Sequence, residues 1–105
     1  MTRPERAADQ EIDAFLRAAI AWTLADGCLE RTATASTFAR GIEWVRDVAV
    51  IADRMDHHPD IDIRWRTVTF RLSTHDAGGI TVLDFALAAE IDAVIGREVA
   101  PPTRA

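Results

Sequence analysis

Apolar residues recur at three- and four-residue spacing early in the chain, at Ile12, Phe15, Leu16 and Ala19. That period predicts an amphipathic helix from about Pro4 to Ile20, with Thr2 or Arg3 ahead of a proline-initiated first turn. Two short, partly β-prone runs follow, separated by Asp26-Gly27. Glycine enters positive φ without steric cost, so this pair predicts a hairpin. From Ser36 to about Met55 the helical period returns in two neighbouring stripes. One is Phe38, Ile42, Val45, Ala49 and Ala52; the other is Trp44, Val48, Ile51 and Met55. So broad an apolar arc predicts a helix that lies on a sheet and also meets a partner chain. It must finish near Pro59, because the residue before a proline avoids the helical region.

Between Asp60 and Ser73 the period falls to two. Ile61, Ile63 and Trp65 alternate with polar residues, then Val68, Phe70 and Leu72 do so in the opposite parity. A tight turn or bulge near Arg66-Thr67 accounts for the change and predicts two antiparallel strands. A loop with Gly78-Gly79 leads to a last helix that starts at Thr81, buries Leu83, Leu87, Ile91 and Val94, and ends near Gly96. The tail, from about residue 98, is expected to fray. The order α-β-β-α-β-β-α predicts an α+β fold, a four-stranded antiparallel sheet with helices packed on one face.

The 105 residues suffice for one domain, and nothing marks a boundary within 1–105. Net charge is −5, and the basic residues, all arginine, are dispersed from Arg3 to Arg104. That argues against nucleic acid as a partner. No apolar run approaches the roughly 20 residues of a membrane span. The charged start, Met1-Thr-Arg-Pro-Glu-Arg, is not followed by a signal-like segment, so no membrane association and a cytoplasmic location are expected. A single cysteine, Cys28, excludes an intrachain disulfide and a multi-cysteine metal site.

The candidate chemistry lies in the three histidines, His57, His58 and His75. Strands joined by a hairpin have their outer ends side by side, so the run after Pro59 and the run before His75 can bring all three to one sheet edge. Imidazole, with an ordinary pKa of roughly 6.5, gives and takes protons near neutrality, and two of them flanking a substrate serve as acid and base. Capping a helix end is the simpler role for any one histidine; for three that converge it is the weaker explanation. Zinc is the rival, since three imidazoles can bind it. Against it, adjacent His57 and His58 point to opposite sides if extended, and no His-x-His or His-x-x-x-His pair is present. Thr81-x-x-Asp84 resembles a capping box with Asp in place of Glu. Asp84 could also steady an imidazolium, and Asp53 sits where the helix dipole disfavours a carboxylate. Trp65 reads as core; Trp22 is either core or an aromatic wall for a flat ring.

Together these positions resemble the signature of the pterin-4a-carbinolamine dehydratases. It runs here as Asp53, three residues, His57-His58-Pro59, five residues, Trp65, nine residues, His75, eight residues, Asp84. The stretch from Leu72 to Thr81 is similar to the family's loop, and Ile91-Asp92 to its last helix. The likeness extends from about Ile12 to Val94 and is strongest from Asp53 onward. Trp22 and Gly27 also match, whereas Thr32-Ala33-Thr34-Ala35 stands where family members carry alternating aromatics.

The resemblance implies a hydro-lyase that dehydrates 4a-hydroxytetrahydrobiopterin to quinonoid dihydropterin during tetrahydrobiopterin recycling. The implied roles are catalysis by His57 and His75 with His58 beside them, and substrate binding by Asp53, Pro59, Asp84, Trp22, Thr74 and Trp65. No metal and no separate cofactor are expected, the pterin being the substrate. The implied assembly is a homodimer or homotetramer, with an aromatic amino acid hydroxylase in the same pathway. The alternative is a non-catalytic binding or assembly module of the same shape, in which that motif tends to be lost.

Overall fold

The structure, a computed structural model, describes residues 4–97. Helix α1 spans Asp9–Ala18, strands β1 and β2 span Thr23–Ala25 and Cys28–Thr34, and helix α2 spans Phe38–Met55. Strands β3 (Asp60–Arg64) and β4 (Thr67–Leu72) follow, then a 3₁₀ turn at His75–Ala77 and helix α3 (Val82–Gly96). This is the expected order. The four strands form one antiparallel sheet, β1-β2-β4-β3.

The first helix begins later than its sequence period suggests. Ala7 N–H donates to the Ile80 carbonyl at 2.7 Å, which draws residues 4–8 out as an extended strap. Helical bonding starts only where the Glu11 carboxylate accepts from Ala8 N–H at 2.7 Å. The expected cap at Thr2 or Arg3, like the tail from 98, lies outside the described residues. Thr37 caps α2, its hydroxyl accepting from Arg40 N–H at 3.0 Å.

Both hairpins close on two residues. Asp26 and Gly27 take φ of 52° and 77°, the mirror-image turn that matches strand twist. The second turn is Trp65-Arg66, one residue earlier than the parity change suggests, and Arg64 pairs with Thr67. Trp65 is therefore a correction to its reading as core. At φ 53° in the turn it is 71% exposed, with the Arg66 guanidinium 4.3 Å above its ring.

Alternation sorts the sheet faces. Leu29, Val68, Phe70 and Leu72 are fully buried and meet Trp44 and Val48 of α2 and Leu87, Ile91 and Val94 of α3. Gly41 faces the sheet, and a Cβ there would meet Val68 Cγ2 at an ordinary contact distance of 3.4 Å. Phe15 of α1 stacks on Phe85 of α3, ring centroids 4.7 Å apart. The opposite face is polar, with a Thr32–Thr69 hydroxyl contact of 2.9 Å and an Arg71–Glu30 ion pair at 2.6 Å. Of the two stripes on α2, the one with Trp44, Val48 and Ile51 is buried, while Phe38 and Ile42 stay exposed.

Phe70→Ala should lower unfolding free energy by about 3–5 kcal/mol. Trp65→Gly, at a turn position glycine accepts, should change it by about 1 kcal/mol or less. Denaturant titration of both variants checks the contrast.

Candidate active site

Helix α2 ends where Asp56 adopts the left-handed conformation, φ 54°, and the chain turns through His57-His58-Pro59 into β3. Because Asp60 pairs with Arg71, continuing the register sets residues 57–59 beside residues 72–74, with His75 next along, at the outer end of the β3–β4 hairpin. His57, His58 and His75 thus reach one cleft, shared with Asp56, Ser73, Thr74 and Asp76, with a volume of about 230 Å³. The topology supplies the convergence that spacing alone made feasible.

Each of the paired histidines has a carboxylate, in opposite environments. His57 is 9% exposed, and its Nε2 lies 2.6 Å from Asp84 Oδ1. Asp84 has no solvent contact at all. Its Oδ2 accepts from the Thr81 backbone N–H at 2.9 Å and from the Thr74 hydroxyl at 2.8 Å. Thr81 Oγ1 is 2.8 Å from Thr74 Oγ1 and accepts from Leu83 N–H at 3.2 Å. Asp84 is the third residue of α3, so the helix dipole adds to these donors, and the capping box and the histidine's partner are one side chain. His58 points outward instead, with Nε2 3.0 Å from Asp53 Oδ1, both side chains more than half exposed.

The 3₁₀ turn that carries His75 is pinned at its base. Thr74 and Gly79 form a bridge, Thr74 N–H donating to the Gly79 carbonyl at 2.8 Å. The strap at 4–8 crosses the next residue through its bond to Ile80.

Not every residue singled out from the sequence reaches this cleft. Asp84 meets it through His57 and Thr74 and Asp53 through His58, and Pro59 shapes the entry to β3 without lining it. Trp65 is at the far end of the hairpin. Trp22 is 3% exposed in the core, its indole N–H donating to Asp92 at 2.9 Å, and Asp92 also pairs with Arg31. Sequence reasoning missed Asp56, Ser73 and Asp76 in the lining. It gave Thr81 only a cap; the available signal was that its capping partner is the signature aspartate. Among the described residues, no three His, Cys, Asp or Glu side chains are grouped to hold a metal ion. No helix there is long and apolar enough to cross a membrane.

An α+β sheet with a histidine cleft at one edge defines the class, and comparison with known proteins gives the family. Residues 5–94 match the family described as Pterin 4 alpha carbinolamine dehydratase. A protein of Mycolicibacterium vanbaalenii, provisionally named pterin-4-alpha-carbinolamine dehydratase, is 52% identical over 88 residues, covering 84% of this chain and 95% of the relative. One of Mycobacteroides abscessus with the same provisional name is 54% identical over 89 residues, covering 85% and 95%. A Brucella melitensis crystal structure, described as a transcriptional coactivator/pterin dehydratase, superposes with a TM-score of 0.82 at 27% identity. It covers 86% of this chain and 98% of that one. The chain belongs to the pterin-4a-carbinolamine dehydratase family.

The two carboxylates should differ sharply on removal. Asp84→Ala strands buried donors and should cost about 3 kcal/mol or more. Asp53→Ala, at an exposed pair, should cost about 0.5 kcal/mol or less. Equal losses in denaturant titration would contradict the division.

Proposed function

We propose that the chain is a metal-independent hydro-lyase that converts 4a-hydroxytetrahydrobiopterin, or a close 4a-hydroxytetrahydropterin, to the quinonoid dihydropterin in tetrahydrobiopterin recycling. The observation that carries the reading is the convergence of His57, His58 and His75 on one cleft, with His57 anchored by a buried carboxylate.

The reaction asks for little more than this. The N5 lone pair forms a double bond to C4a as the C4a–O bond breaks; the departing hydroxyl takes a proton from an acid and leaves as water. A base accepts the N5 proton, so the two proton transfers balance. His57 and His75 take these roles, and His58, steered by Asp53, orients the ring. General acid–base catalysis typically contributes about 10²–10⁴-fold, and positioning adds to it. The carbinolamine also dehydrates unaided, so a contribution of this size suffices.

The exposed Phe38 and Ile42 on α2 support a homodimer or homotetramer. A hydroxylase that produces the carbinolamine is the expected pathway partner. The coactivator description of the Brucella melitensis protein motivates a second reading, a binding module. It requires a chain that binds a protein partner without accelerating dehydration.

In a coupled hydroxylase assay, His57→Ala and His75→Ala should each lower turnover on the order of 10²-fold or more. Full activity in the double variant would rule out the histidine mechanism. Chelator treatment should leave the rate unchanged, and a rate abolished by chelator and restored by zinc would point to a metal site instead.

A further inference from the structure

The bonds around Asp84 have a direction, and it can be read atom by atom. Thr74 donates its single hydroxyl proton to Asp84 Oδ2 at 2.8 Å. A threonine hydroxyl has only one proton to give. In the 2.8 Å contact between Thr74 and Thr81, the donor must therefore be Thr81. Thr81 Oγ1 in turn accepts from Leu83 N–H at 3.2 Å. The chain runs one way, from the first turn of α3 through Thr81 and Thr74 to the carboxylate. A second donor, Thr81 N–H at 2.9 Å, also arrives at Oδ2. With two donors on it, Oδ2 carries no proton, and the start of a helix is a place built for an anion. Oδ1 is left for His57 alone, and a contact of 2.6 Å to a carboxylate oxygen needs a proton on Nε2.

We infer that Thr81 and Thr74 are positioning residues that act through Asp84 to hold neutral His57 as its Nε2–H tautomer. Nδ1 is then the bare nitrogen available to the cleft. His57 lines that cleft, and among the described residues its Nδ1 has no hydrogen-bond partner. A ring held in this way starts the cycle as a base, so His57 takes the N5 proton and His75, with no such carboxylate partner among the described residues, supplies the acid. This assignment of roles rests on the dehydratase reading; the tautomer does not.

Nitrogen-15 NMR of histidine-labelled protein tests the tautomer directly, in the full chain at a pH where the imidazoles are neutral, with His57→Gln used to assign the signals. The expected result is a proton on Nε2 of His57 and none on Nδ1. Asp84→Asn keeps the shape and inverts the polarity. Its carbonyl oxygen must take the Oδ2 position, where two donors wait, so its NH₂ faces His57 and pushes the ring proton to Nδ1. That variant should show the shifted proton and a kcat lower on the order of 10²–10⁴-fold, with KM within a few-fold of the parent.

Thr74→Val removes one bond to a charged group and should lower kcat about tenfold or more; Thr74→Ser should restore it. A proton on Nδ1 of His57 in the unmodified protein overturns the inference whether or not any variant folds. Unchanged kcat in Thr74→Val overturns the relay. A protein that dehydrates no carbinolamine, yet carries the proton on Nε2, refutes the dehydratase reading and still supports the tautomer.

Discussion

A carboxylate cut off from water is the constraint on which the site depends. Asp84 is costly to bury unless it is well hydrogen-bonded, and three groups meet it, His57 at Oδ1 and Thr74 and Thr81 at Oδ2. Its partners come from three separate places: Thr81 at the start of α3, Thr74 after β4, and His57 after α2. Satisfying one side chain therefore sets the mutual position of a helix start, a strand end and a helix end. A small domain obtains a rigid site in this way from a single polar residue, placed where the apolar core gives out.

The sheet supplies the frame for that arrangement. The β3–β4 hairpin places residues 57–59 beside residues 72–74, and the bridge between Thr74 and Gly79 keeps the His75 turn from opening. His57 and His58 are adjacent in sequence and divided in environment. One faces a buried anion and the other an exposed one, so one is held and the other is free to adapt to a bound molecule. The cleft lies between these two behaviours.

Most of the frame was legible in the sequence because period and turn chemistry are local. The alternation of Ile61 and Ile63 against Val68, Phe70 and Leu72 located a hairpin, and Asp26-Gly27 located another. The histidine cluster followed from topology, and its likeness to the dehydratase signature followed from spacing. What escaped depends on contacts between distant segments. The start of α1 is set by a bond from Ala7 to Ile80, which no local pattern announces. Trp65 fits an alternating strand by sequence, yet the turn consumes it. Trp22 could have been wall or core until Asp92 and Arg31 were placed beside it. Thr81 showed its capping role plainly and concealed its second one, because the capping partner's other oxygen points at a residue 27 positions away.

The proposed function requires a bicyclic pterin to sit in the cleft formed by the three imidazoles. Titrating a stable dihydropterin into histidine-labelled protein while following the ring signals of His57, His58 and His75 addresses it most directly. All three should shift together and saturate with a single dissociation constant. Binding that leaves all three ring signals unmoved would contradict it.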